Sequence, residues 1–193
     1  MLAKVFKVTL EGVEEYFLSY VFIPVNTFPA DEIPVIIERK ILIDSRDTIL
    51  VLLNSKAVSC EEILLLSALR TIRAFQRGKN IAKNFYVEFL LSLFGDRQIK
   101  KALAKNSLKK SSGFVLALII SSNLKSLRTI IINLIKLFNA KYGKIKIQSF
   151  KQYYIMNAYN LLEKEVQATY GKTFSEKIMK CTLNRSALIE VLR

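Results

Sequence analysis

The spacing of apolar and polar positions changes along the chain, and each change predicts an element. Residues 2–10 alternate well enough for a first strand, and Val13 to Tyr20 reads as a short helix. Pro24, Pro29 and Pro34 then punctuate an irregular stretch, each lacking a backbone donor. Residues 35–43 and 48–53 read as two further strands, joined by the charged turn Asp44–Asp47. Ser59 with Glu62 forms a capping box that opens a helix from Cys60 to about Gln76, and Gly78 is placed to stop it. The next helix spans about Ile81 to Phe94, with Ile81, Phe85, Phe89 and Leu93 on one face. Gly95 suits a left-handed stop, and Asp96 a cap for a third helix that carries Arg97, Lys101 and Lys105 opposite Ile99 and Leu103.

Residues 113–120 form a continuous apolar run, the pattern of a fully buried strand. Asn123 to Tyr142 reads as a long amphipathic helix ended by Gly143, and KIKIQ at 144–148 alternates like a half-buried strand. Ser149 with Gln152 predicts another capping box and a helix to about Leu162. Thr173 with Glu176 caps one more helix, and SALIEVL closes the chain, read as a strand. The order predicts an α+β fold, a small and mostly antiparallel sheet flanked by several helices, as a single domain over 1–193.

Composition narrows the classes of function. Apolar residues make up 51% of the chain, enough for a core and too many for disorder. No apolar run approaches the roughly 20 residues that span a bilayer, and the start MLAKVFKVTL lacks a signal-peptide pattern, so the expectation is a cytoplasmic protein with no membrane partner. Cys60 and Cys181 belong to no metal-ligand spacing and read as free thiols, so no metal site and no cofactor are expected. The chain has no histidine, which removes Ser-His-Asp and Cys-His catalysis, and it carries neither a P-loop nor a Rossmann glycine pattern. Asp44 and Asp47 read as solvated turn residues, not a catalytic pair. The expectation is a protein that is not an enzyme.

Charge is where the sequence points to a partner. The net charge is +14, but residues 1–62 carry 6 Lys/Arg against 10 Asp/Glu, while residues 63–193 carry 24 against 6. Such asymmetry favours a polyanionic partner, nucleic acid before membrane; the alternative is a lysine-rich surface that serves solubility. Lys79, Lys83, Arg97, Lys101 and Lys105 offer cations for phosphates, and Asn80 and Gln98 offer paired donors and acceptors for base edges, as does Asn84. Tyr86, Phe85 and Phe94 are either stacking platforms for bases or core residues.

Residues 79–103, KNIAKNFYVEFLLSLFGDRQIKKAL, resemble a family signature in which Asn80-Ile81-Ala82, Glu88, Leu90, Gly95, Arg97-Gln98-Ile99 and Ala102 stand in register. The family is the small PRPK-binding (TPRKB-like) subunit of the KEOPS complex, which modifies tRNA. GFVLALI and the closing FSEKIMKCTLNRSALIEVL are similar to the family's later elements, whereas residues 1–47 match poorly and 123–172 are longer than usual. The resemblance implies a non-catalytic accessory subunit with two partners. One is the atypical kinase/ATPase subunit of KEOPS, and through it the rest of the complex. The other is tRNA, recruited by its single-stranded 3′ CCA end for threonylcarbamoyladenosine formation beside the anticodon. The resemblance also implies a largely apolar helical face for the kinase. Ile63, Leu64, Leu65, Leu66 and Leu69 cannot all face one core stripe, so Leu65 and Leu66, with Leu188 near the C-terminus, are the residues expected there. The alternative is a protein-interaction module that binds no RNA.

Overall fold

A computed structural model describes residues 4–10, 14–25, 32–40, 47–108 and 113–191. Four strands, β1 (Phe6–Leu10), β2 (Glu14–Pro24), β3 (Thr48–Asn54) and β4 (Phe114–Ser121), form one antiparallel sheet in the order β1-β2-β4-β3. Among the described residues eight α-helices accompany them: α1 (Ile33–Lys40), α2 (Glu61–Gln76), α3 (Phe85–Phe94), α4 (Ile99–Lys105), α5 (Leu124–Phe138), α6 (Ser149–Ala158), α7 (Glu163–Ala168) and α8 (Phe174–Val191). The expected α+β class is observed. The chain forms two compact units, Met1–Ser55 with Ser107–Gly143, and Lys56–Asn106 with Lys144–Arg193.

The first unit holds the sheet, α1 and α5. Ala117 of β4 pairs with Val21 on one side and Leu52 on the other. That row, with Ile23, Val115 and Ile119, packs with Leu127, Ile130, Ile131, Leu134 and Phe138 of α5. The α5 residues recur at three- and four-residue spacing, so they make one stripe that matches the pleated face. Asn123 starts α5 by accepting the Lys125 and Ser126 amides at 2.8 and 3.3 Å. Asn139, left-handed at φ 52°, stops it four residues before Gly143, the expected stop.

Two expectations for this unit are overturned. Residues 14–24 are a strand, not a helix over Val13–Tyr20. β2 is paired on both sides, and Leu18–Val21 are buried in succession, so no two-residue alternation marked it. Residues 33–40 are a helix, not a strand. Pro34 sits in its first turn, where the missing N–H costs nothing, and Ile33 and Ile37 bury one face. Residues 41–46, which hold Asp44 and most of the expected turn, lie outside the described residues.

The second unit is helical. α3 packs on α2, α4 and α8, and everything from Glu88 to Phe94 is buried. Such all-round burial makes α3 the core element of this unit. Gly95 ends it at φ 59°, and a Cβ there would overlap the Arg185 carbonyl oxygen of α8, so close approach requires glycine.

Several predicted ends shift. Cys60, not Ser59, is the N-cap of α2, and the Ser59 hydroxyl instead lies 2.7 Å from the Thr182 hydroxyl. α3 begins at Phe85, capped by Asn84, so residues 81–84 form a turn before it. KIKIQ makes no strand, and α6 is capped at Gln148 and ends at Ala158. Gln152 reaches away from its own helix, to the Ser175 hydroxyl at 3.2 Å. SALIEV, residues 186–191, is the last part of α8, not a strand. Thr173 does cap α8, accepting the Glu176 amide at 3.1 Å.

Candidate nucleic-acid interface

The basic segment between α2 and α3 is held by one buried carboxylate. Glu88 Oε2 accepts the Ile81 amide at 2.9 Å and the Ala82 amide at 2.7 Å. Asn80 donates its side-chain amide to the Ala82 carbonyl at 3.0 Å, which ties the turn to itself. The result is a fixed turn from which Lys79 and Lys83 project into solvent.

Arg97, Gln98 and Lys101 lie at the opposite end of α3 and are exposed. Gln98 is the N-cap of α4, so Arg97 precedes that helix and does not sit in its first turn as expected. The Asp96 side chain accepts the Gln98 amide at 3.0 Å, a local turn rather than the helix cap itself. The predicted cations therefore do not converge at Gly95. They form two groups separated by the length of α3, ~15 Å for ten residues. A flexible polyanion can reach both; one phosphate cannot.

Lys105 is engaged within the protein. Its ammonium lies 3.0 Å from Asp96 Oδ2 and 5.6 Å above the Phe94 ring, and its side chain is 12% exposed. Burial alone pushes the Asp96 carboxyl up, but the Gln98 amide and the Lys105 ammonium outweigh it and hold the pKa below its ordinary value. Ile99 and Leu103, expected on the buried side of α4, are exposed, and only Ala102 of that helix is buried. The outer face of α4 is thus both basic and apolar.

The aromatic residues divide. Phe94 is buried against Tyr159, with centroids 5.4 Å apart, and Phe85 stacks on Phe75 at 5.7 Å, so both serve packing. The Tyr86 hydroxyl accepts from Asn106 at 2.8 Å, and burial raises its pKa. Cys60 and Cys181 are free and buried, and burial pushes the Cys60 thiol up to about 11. That thiol is protonated at neutral pH and chemically quiet.

On α2, Leu65 is half-buried and Leu66 is 38% exposed. Leu188 on α8 is 45% exposed. Leu66 stands one turn before Arg70, and Leu188 lies between Ser186 and Glu190, both of which Arg70 engages. The two leucines thus flank one helix pair and are exposed while Ile63 and Leu64 are buried.

One feature at the end of α2 was only half legible. Arg70, Arg73 and Arg77 recur at spacings of three and four, which puts them on one side of α2. The sequence did not show that Ala74, Lys79 and Glu190 join them to line a cleft of about 290 Å³. Only the packing of α8 on α2 brings Glu190 there.

A comparison with curated proteins gave no match. The family model for the kinase binding protein CGI-121 matches residues 34–188, which takes in the signature at 79–103 and most of the rest of the chain. The chain belongs to the CGI-121 kinase-binding family.

Proposed function

We propose that the protein is a non-catalytic subunit of a KEOPS-type complex. In this reading it binds the atypical kinase/ATPase and recruits tRNA through its 3′ CCA end for threonylcarbamoyladenosine formation, in the cytoplasm. Membership of a kinase-binding family carries the first half. The exposed leucines Leu66 and Leu188, with Leu65 at their edge, supply an apolar face of the kind a permanent protein partner covers.

The RNA half rests on charge and its placement. From Arg97 to Leu162 the chain has 13 Lys/Arg and no Asp or Glu. Lys79, Lys83, Arg97 and Lys101 are exposed at the two ends of α3, with Asn80 and Gln98 beside them. This arrangement suits a flexible single strand that is held at two places by its phosphates. The fixed turn at Ile81-Ala82 favours binding because its order is established before the ligand arrives.

Co-purification with the kinase subunit and mobility shift on tRNA test the two halves separately. Leu66→Glu with Leu188→Glu is expected to abolish kinase capture while the fold and tRNA binding persist. Wild-type protein is expected to shift intact tRNA more strongly than tRNA lacking its CCA end. Equal, weak binding to both would leave a protein-interaction module without specific RNA binding.

A further inference from the structure

The surface at the ends of α3 offers cations and amides, but its aromatic residues Phe85 and Phe94 are committed to packing. A pair of open rings stands elsewhere in the same unit. Phe150 is 67% and Tyr153 75% exposed, three residues apart on α6. Residues at that spacing are neighbours on one helix face. We propose that Phe150 and Tyr153 form a stacking platform for the unpaired bases of single-stranded RNA, an inference that rests on the RNA half of the reading above.

α6 is anchored by its other residues, which leaves these two rings outward. Ile155 and Ala158 are buried. Gln152 donates to the Ser175 hydroxyl of α8 at 3.2 Å, and the Tyr154 hydroxyl donates to the Lys105 carbonyl at 3.3 Å. α6 therefore lies beside the end of α4, the helix that carries the exposed Lys100 and Lys101. Among the described residues, neither Phe150 nor Tyr153 stacks on another ring or lies under a cation. Tyr170, 84% exposed, differs, since the Lys180 ammonium sits 4.9 Å from its ring centroid. Asn157, exposed one turn beyond Tyr153, adds an amide with both donor and acceptor for a base edge. A single exposed ring is ordinary. Two on one turn, with their faces open, suit flat groups that arrive in succession.

Exposed aromatic pairs also anchor protein interfaces, and charge favours RNA here. Lys144 and Lys146 are exposed just ahead of Gln148, the N-cap of α6. No Asp or Glu occurs from Arg97 to Leu162. Glu176 follows Ser175, where α6 meets α8, and it is bound by the Lys180 ammonium at 3.1 Å and the Lys172 amide at 2.8 Å. Lysines that draw in a phosphate backbone bring its bases to the rings, and every base has a face that stacks.

The test uses the full chain with two fluorescently labelled strands, a 12-nucleotide single-stranded RNA of mixed sequence and an abasic strand with the same number of phosphates. Phe150→Ala with Tyr153→Ala is expected to weaken RNA binding about tenfold or more. Affinity for the abasic strand, the salt slope and the melting temperature should not change, because no phosphate contact and no buried group is removed. Phe150→Tyr with Tyr153→Phe is expected to bind like wild type. Phe150→Leu with Tyr153→Leu is expected to bind as weakly as the alanine variant, because leucine is apolar but has no ring to stack on. Wild-type RNA affinity of the alanine variant, or an equal loss on both strands, would overturn the inference. Loss of kinase capture with RNA binding intact would also overturn it and assign the rings to a protein partner. The variant Lys79→Glu, Lys83→Glu, Lys101→Glu separates the platform from the reading beneath it. If that variant loses both strands while the alanine variant binds normally, only the platform is wrong. If the alanine variant alone is weakened, the surface at the ends of α3 is wrong and the platform stands. If wild type binds neither strand, the two fall together.

Discussion

Glu88 Oε2 sits 2.7 Å from the Ala82 amide nitrogen, with Glu88 itself fully buried. The same oxygen accepts from Ile81, so one carboxylate replaces the helix hydrogen bonds that the 81–84 turn lacks. Glu88→Ala should leave two amides without this acceptor and cost about 3 kcal/mol. Glu88→Gln keeps an acceptor oxygen but loses the charge, and should cost about 1 kcal/mol. Denaturant unfolding measures both. Faster amide exchange at Ile81 and Ala82 in the Gln variant would show that the effect is local.

Gly95 and Gly78 make a matched pair. Both have positive φ, but a Cβ at Gly95 overlaps the Arg185 carbonyl whereas nothing lies within 4 Å of one at Gly78. Gly78→Ala should cost about 1 kcal/mol, the backbone term alone. Gly95→Ala should cost more than about 3 kcal/mol or prevent folding, since α3 and α8 must also move apart. Similar losses at the two positions would contradict the packing described.

Asp96 gives the pH signature. Its folded pKa lies below the ordinary carboxylate value, so its contribution is complete above the unfolded pKa of about 3.9 and is lost as pH falls through the lower folded value. Asp96→Asn keeps the acceptor for Gln98 but removes the Lys105 ion pair. At pH 7 it should cost about 1–2 kcal/mol. Near pH 2 the variant and the wild type should converge.

Tyr159 tests an unsatisfied group. It is fully buried beside Phe94, and its hydroxyl has no hydrogen-bond partner among the described residues. Burial drives its pKa well above the ordinary value. Tyr159→Phe should be neutral or stabilise by up to about 1 kcal/mol, because it removes a polar group without leaving a partner exposed. A loss in thermal unfolding would mean that the hydroxyl has a partner.

Amphipathic helices with clear ends were legible in the sequence. Gly78 and Gly95 announced left-handed stops, and α5 showed an apolar stripe. β2 was not legible because Leu18–Val21 are buried in succession, and such a stretch has no two-residue period. α1 was misread because Ile and Val favour strands in isolation, whereas Pro34 in a first turn and burial of Ile33 and Ile37 decided for helix. The cations of the candidate interface were visible as residue types, but their separation by α3 and the withdrawal of Lys105 to Asp96 depend on packing. Glu190 in the Arg70 cleft is the far extreme, a contact between residues 120 apart.

The kinase face and the RNA surface should separate genetically. Leu66→Glu and Leu188→Glu change exposed side chains, so melting should shift little, whereas Leu64→Glu, at a fully buried position, should unfold the protein. Kinase capture lost in the first pair with tRNA binding intact would place the partner on the α2–α8 face. Retained capture would move it elsewhere.

The proposed function requires that the exposed cations at the two ends of α3 bind tRNA. The most direct measurement is tRNA affinity across a salt series for wild type and for the triple variant Lys79→Glu, Lys83→Glu, Lys101→Glu. Each lost phosphate contact should flatten the slope of log affinity against log salt by about 0.7 for a single strand. Three lost contacts predict a slope shallower by about 2, with strongly weakened binding at low salt and an unchanged melting temperature. A triple variant that binds like wild type at every salt concentration would contradict the account.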